Sequence, residues 1–214
     1  MAHTSPAVAA VIGDVIASRD SGDRASLQKN LVAVMGQLNN THKAIQPLSM
    51  TVGDEFQGLY RDLTTALAVA LRLRIELLPS IDVRVGIGWG ELTLVPTDPP
   101  FGQDGPCWWR AREAIDDVKS GESSNSVPGS VRTMSRTGTD ADALLNGYLG
   151  LRDHIVSDFD DLDTRLAALR LDGFSQVEMA RTVGLSQSAV SRRLQNHGIS
   201  AIISGQPAVL VVPE

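Results

Sequence analysis

TVGDEFQGLY (residues 51–60) reads as the turn and returning arm of a β-hairpin. Gly53-Asp54 is a turn signal, residues 44–52 before it are strand-prone, and residues 56–60 form the second arm. The flanks decide what kind of sheet this hairpin enters. Downstream, residues 63–78 are rich in Leu and Ala and predict a long helix ended by Pro79. Ile81, Val83, Val85 and Ile87 then alternate with a strand period. Residues 91–95 continue as a strand, 96–105 as a loop and 106–118 as a helix. Upstream, residues 7–12 are small, apolar and β-branched, as suits a buried strand, and Gly13-Asp14 breaks the run. Ser21-Gly22-Asp23 offers a cap for a helix whose Leu27, Leu31, Val34 and Leu38 share one face. The order strand, helix, hairpin, helix, strand is that of an α+β unit.

Residues 120–139 change character. They are rich in Ser, Gly and Thr with almost no large apolar residue, and predict a linker or mobile loop. The chain beyond them reads as helical up to Gly198, with a short β-prone tail at 208–212. The expected division is residues 1–119, a linker at 120–139, and a helical unit at 140–214. The chain has 214 residues, 43% of them apolar and 21% charged, enough to bury a core and unlike a disordered chain. A single cysteine, Cys107, rules out a disulfide scaffold and a multi-cysteine zinc site and fits a reducing, cytoplasmic setting. Its expected role is a small buried residue. His3, His42, His154 and His197 have no metal-ligand spacing. No apolar run approaches the roughly 20 residues of a membrane span, so no membrane is expected, and residues 1–20 lack the pattern of a signal peptide. The net charge of −6 argues against a nucleic-acid coat but not against a small local DNA reader.

Two Gly-Asp pairs, Gly13-Asp14 and Gly53-Asp54, carry the chemistry of the first unit. Carboxylates on neighbouring strands repel unless a cation lies between them, and magnesium suits such oxygen ligands when it shares them with phosphates. Asp14 and Asp54 are the candidate metal ligands, with Mg2+ or Mn2+ as the expected cofactor and Glu55 as a third ligand or general base. Each pair also has a plain reading, as a turn cap at Asp14 and an ordinary hairpin at Asp54. The turn after Asp14 leads to a helix start, whose free N–H groups favour phosphate, and Ser18 is the candidate contact there.

VIGDVIASR (11–19), TVGDEFQGL (51–59), RVGIGWGEL (84–92) and DGPCWWRAREAI (104–115), taken as an ordered set, resemble the SatD family. The same layout resembles a reduced class III nucleotidyl cyclase or GGDEF-type palm domain over roughly residues 7–118. That resemblance implies a ferredoxin-like palm, two metals on Asp14 and Asp54, and Arg112 as the phosphate-stabilising arginine. Glu55 and Arg112 are then the candidate catalytic residues. The chain also departs from the cyclase pattern: Trp108 stands for the asparagine, Met50 for the base-reading lysine, and the second base-reading position falls near Phe101. Val52 replaces the second glycine of GGDEF proteins. Loss of one transition-state donor typically costs about 10²–10³ in rate, so a bound nucleotide is implied more directly than efficient cyclisation. Trp108 and Trp109 either stack on a base, with Arg110 or Arg112 on its phosphates, or serve as core anchor and interface residue. Adjacent helical residues point about 100° apart, which favours packing.

LAALRLDGFSQVEMARTVGLSQSAVSRRLQNHGIS (166–200) resembles a helix-turn-helix of the sigma-factor region 4 kind, with the motif at about 175–196. Leu162, Leu166 and Leu169 form the face of a supporting helix that Gly173 ends. Ser175 caps the first helix of the pair, and Met179, Ala180 and Val183 pack inward. Gly184 makes the turn, Leu185 plugs the corner, and Ser186 caps the second helix, where Val190 and Leu194 face the core. Gln187, Ser188, Ser191 and Arg192 are left to meet base edges of double-stranded DNA, and Arg193 a phosphate. No acidic residue falls between Leu185 and His197. One such module offers a small interface, so a homodimer is expected. Residues 140–156, with Leu144, Leu145, Tyr148, Leu149, Leu151 and Ile155, are its candidate dimerisation helix.

The leading expectation is therefore a DNA-binding transcriptional regulator whose palm domain senses a nucleotide with metal. The alternative is a nucleotidyl cyclase or related metal-dependent phosphoryl-transfer enzyme with a regulatory DNA-binding domain. A third possibility is a palm retained only as a dimerisation platform.

Overall fold

The computed structural model describes residues 6–16, 24–94, 102–124 and 128–205. Ser18, the cap at 21–23, Phe101 and the tail at 208–212 lie outside the described residues. The chain runs β1 (Ala7–Ile16), α1 (Arg24–Thr41), β2 (Gln46–Met50), β3 (Glu55–Tyr60), α2 (Leu63–Leu77) and β4 (Asp82–Glu91). β1 lies antiparallel between β3 and β4, and β2 pairs antiparallel with β3. That order, with strands β2-β3-β1-β4 across the sheet, is the ferredoxin-like arrangement.

Strand alternation divides the side chains between two layers. Ala9, Val11, Val83, Val85, Ile87 and Phe56 join Leu31, Val34 and Leu38 of α1 and Leu67, Ala70 and Leu73 of α2 in one core. On the opposite face Val8, Ala10, Ile12 and Leu59 meet Cys107, Ala111 and Ile115 of α3 (Pro106–Ser124). α3 sits close to the sheet because β4 turns Gly86, Gly88 and Gly90 toward it. A Cβ at Gly86 would lie 2.8 Å from Ile115 Cβ, and one at Gly90 would lie 3.0 Å from Pro106 Cβ. The VGIGWG pattern is thus a groove for a helix backbone. A two-stranded ribbon, β5 (Thr93–Leu94) with β6 (Gln103–Asp104), leads into α3, within the stretch expected to be strand end and loop.

Two expectations are corrected. Gly13-Asp14 does not end the first strand, which continues to Ile16. Gly13 lies where a Cβ would overlap the Phe56 ring, and Asp14 finds basic partners without leaving the strand. Nor is 120–139 a linker. α3 runs to Ser124, and β7 (Thr133–Arg136) pairs parallel with β4 as the fifth strand of the sheet. Its sequence hides it because Thr133 and Ser135 are polar yet buried. Their backbone is held by side chains of α4 (Ala141–Ser157). Asn146 Nδ2 donates to the Ser135 carbonyl at 2.8 Å, and Ser135 N–H donates to Asn146 Oδ1 at 2.8 Å. Asp153 accepts from the Arg132 and Thr133 N–H groups at 2.8 and 2.5 Å.

Asp153 also anchors a buried ionic cluster. Arg152 Nη2 lies 3.0 Å from it and Arg74 Nη1 3.4 Å, while Arg74 Nε reaches Asp82 at 2.8 Å and Arg132 Nε reaches Asp82 at 3.0 Å. α4, expected as a dimerisation helix, gives Leu145 and Leu149 to the sheet core. Leu144 and Leu151 stay on its outer side, 81% and 69% exposed.

The remaining helices are α5 (Asp161–Leu171), α6 (Gln176–Val183), α7 (Gln187–Asn196) and α8 (Ile199–Gly205). α8 continues helix past Gly198, where the sequence suggested an end. Their core of Leu166, Met179, Val190, Leu194, Ile199 and Ile202 includes Leu71 and Ile75 of α2. α2 therefore serves both cores, and the helical unit is docked on the palm rather than tethered to it. Arg72 adds a pair with Asp172 at 2.9 Å and a hydrogen bond to the Ala168 carbonyl at 2.9 Å.

Candidate functional site

Register brings the first group together. Asp14 is paired across the sheet with Glu55 on one side and Arg84 on the other, and all three side chains point to the α3 face. Arg84 Nη1 lies 3.3 Å from Asp14 Oδ1, and Lys119 Nζ of α3 lies 2.8 Å from Asp14 Oδ2. Arg112 makes a two-pronged pair with Glu55, Nη1 to Oε1 at 2.9 Å and Nη2 to Oε2 at 3.1 Å. Lys119 stands 3.8 Å from Glu55, and Arg84 also reaches Glu122 at 2.8 Å. The hydrogen bond from Arg112 holds the Glu55 carboxyl below its ordinary pKa, so Glu55 is poorly suited to be a general base.

Asp54 is not part of this group. It is exposed, and it lines a small cavity with Val15, Leu27, Leu31 and Met50 on the α1 side of the sheet. The adjacent acidic residues of the hairpin turn thus point to opposite faces, and Asp14 is matched by Glu55. This donor set does not fit a divalent ion. Each oxygen of Asp14 and Glu55 is within reach of a protein cation, and three basic groups face two carboxylates. Among the described residues no group of three His, Cys, Asp or Glu side chains is placed to hold a metal. Arg84 opens the RVGIGWGEL motif but is not among the residues expected at the site. Lys119 was missed, although it lies seven residues, about two helical turns, after Arg112.

Beside the group is a cleft of about 430 Å³, lined by Ile12, Gln57, Gln103, Trp108, Trp109 and Arg112. Both indoles border this one space, contrary to the expectation from helical geometry. Trp108 also packs on the α3 core, and Trp109 is pinned by its Nε1–H, which donates to Asp104 Oδ1 at 2.6 Å. Arg110 is turned away, donating to the Trp89 carbonyl at 2.7 Å. Cys107 is buried, and burial pushes its thiol up to about 11.

A second surface lies on α6 and α7. Ser175 and Glu178 form a reciprocal cap, Gly184 turns the chain at φ 71°, and the Ser186 hydroxyl caps α7. Leu185 does not plug the corner but is 41% exposed. Gln187, Ser188 and Arg192 are exposed and Ser191 half-buried. Arg193, expected at a phosphate, is instead turned inward. Its Nε donates to Asp163 Oδ1 at 2.6 Å and its Nη2 pairs with Asp160, which raises its pKa further. The partners lie on and before α5, some thirty residues upstream, where sequence spacing gives no sign of them.

Topology and surfaces define the class: an α+β protein with a ferredoxin-like, palm-like unit and a helical unit docked on it. The chain belongs to the SatD family, whose sequence profile matches residues 8–208. No curated protein matches it. Among solved structures it is similar to a bacterial light-regulated adenylyl cyclase, with 8% identity and a TM-score of 0.42 over 60% of this chain and 74% of that one. A regulator of polyketide synthase expression from Bifidobacterium adolescentis aligns with 95% of this chain and 79% of its own, at 12% identity and a TM-score of 0.29. Likeness at this level carries no functional inference. No helix among the described residues is long and apolar enough to cross a membrane.

Proposed function

We propose that the protein is a homodimeric DNA-binding regulator, in which α6 and α7 form a helix-turn-helix and the palm-like unit receives a small anionic ligand. The observation that carries this reading is the outer face of α7. Gln187, Ser188 and Arg192 are exposed there, free of core packing, and no acidic residue falls from Leu185 to His197 in a chain of net charge −6. Gln and Arg are the side chains that pair two bonds with adenine and guanine edges. Arg193 serves the reading indirectly, by fixing α7 against α5. Leu144 and Leu151 on α4 supply an apolar face for a second copy. The phosphoryl-transfer alternative is less favoured, since Asp54 is turned from Asp14 and the lowered Glu55 pKa makes that carboxylate a weak base.

The test is fluorescence anisotropy of a mixed-sequence duplex over a salt series. Wild-type protein binds with a salt-dependent affinity. Arg192→Ala weakens binding and lowers the salt slope by about 1, whereas Arg61→Ala, an equal loss of charge at an exposed site on the palm, does not. Equal binding by Arg192→Ala and wild type, or no binding at low salt, rejects the reading.

A further inference from the structure

We propose that the cleft between α3 and the outer face of β1 and β3 binds a planar heteroaromatic ring carrying a phosphate, the chemistry of a nucleoside monophosphate, without a divalent cation. The inference rests on the ligand-receiving role just proposed for the palm-like unit, and it names that ligand's class and its counter-charge.

At about 430 Å³ the cleft falls in the range of small-molecule sites. Ile12 gives it an apolar floor, and Trp108 and Trp109 give it aromatic walls. Trp109 is 56% exposed, and its hydrogen bond to Asp104 fixes the ring in place. A large aromatic held rigidly yet left open to solvent is suited to stacking, because little side-chain freedom is lost when a ring settles on it. Around the apolar surfaces stand the amides of Gln57 and Gln103. The Trp108 Nε1 and Gln103 Oε1 atoms are shielded from solvent and so are not part of the open wall, which leaves stacking and charge to do the recognition.

Arg112 closes the cleft on its charged side. Glu55 takes two of the five N–H donors of its guanidinium and leaves the rest for an anion. That the counter-charge is the protein's own follows from the donor set. Both carboxylates that would hold a metal are already faced by Arg84, Arg112 and Lys119. A divalent ion would have to displace these groups and then remain among them.

The test is a titration of the full chain, by calorimetry and tryptophan emission, with the four common nucleoside monophosphates and their nucleosides. Each is run once with EDTA and once with magnesium. At least one monophosphate is expected to saturate in EDTA, to quench tryptophan emission, and to change affinity less than twofold with magnesium. Trp109→Ala weakens it roughly tenfold or more, and Trp109→Phe restores most of the loss. Arg112→Gln brings monophosphate and nucleoside to similar affinity. Saturation only with magnesium overturns the proposal, as does unchanged affinity in Trp109→Ala. A protein that binds duplex DNA but no monophosphate also overturns it, while leaving the DNA reading intact. Monophosphate binding without DNA binding supports the cleft and removes only the DNA reading.

Discussion

Replacing Gly88 by alanine tests whether the glycine ladder of β4 seats α3. A Cβ there would overlap the Cys107 carbonyl oxygen and the Ala111 backbone nitrogen, and would stand 2.9 Å from the Arg110 carbonyl carbon. All three are backbone atoms of one helix, so no side chain can swing aside, and α3 must lift from the sheet as a body. Overpacked cores lose about 1–3 kcal/mol, and the rigid neighbours place this site at the upper end, about 3 kcal/mol. For a chain of this size that lowers Tm by roughly 6–12 °C. Gly147→Ala is the control. It lies within α4, and a methyl group added there would meet nothing within 4 Å, so the gain in helix propensity stabilises by about 0.5–1 kcal/mol. Thermal and urea melts followed by circular dichroism read both. Because α3 carries Trp108 and Trp109, Gly88→Ala also shifts tryptophan emission below the transition. A Gly88→Ala protein melting within 2 °C of wild type, with an unchanged urea slope, would refute the close-packing argument.

Buried or paired charge sets three further outcomes. Asp153→Ala leaves Arg74 and Arg152 buried without their shared carboxylate and costs about 3–5 kcal/mol in a urea melt; a loss under 1 kcal/mol would show the cluster to be hydrated. Cys107, with its thiol raised to about 11 by burial, stays unlabelled by a thiol reagent at pH 8 until the protein unfolds. Labelling faster than global unfolding would contradict its packing under α3. Arg112→Gln removes the hydrogen bond that lowers the Glu55 pKa. The lost stability is therefore constant above the ordinary Glu55 value of 4.5 and shrinks as pH falls through the folded-state value. A gap between wild type and variant that is the same at every pH would assign the effect to something other than this pair.

The elements legible in the sequence are those in which periodicity and burial agree. Leu31, Val34 and Leu38 on α1, and the alternation from Val83 to Ile87, each announce one buried face, and the structure buries those faces. β7 was not legible because its burial is polar. Thr133 is satisfied by Asp153 and the Ser135 backbone by Asn146, which lie twenty and eleven residues away. The extent of β1 was misread because a carboxylate beside a glycine looks like a turn when its cations, Arg84 and Lys119, are seventy and more residues distant. The same blindness paired Asp14 with Asp54. Alternation about the hairpin turn sends Asp54 and Glu55 to opposite faces, and only the β1–β3 register decides which of them meets Asp14. Arg193 differs from Arg192 by one position on α7 and by the whole of its environment.

The charges that run from α3 to α2 and α4 are graded. From Arg112 they alternate through Glu55, Lys119, Asp14, Arg84, Glu122, Arg132, Asp82 and Arg74 to Asp153 and Arg152. The inner members are fully buried, so removing one strands its partners at high cost, and that end is a fixed frame binding α2, β4, β7 and α4. At the outer end Arg112 is 46% exposed, and solvent screens its pair with Glu55 to about 1 kcal/mol or less. Contiguity of such a chain does not make it a signal path. What the gradient does establish is where the molecule gives way at least cost. The Arg112–Glu55 pair can loosen or shift with little loss, while the helix that carries Arg112 is held in the glycine groove.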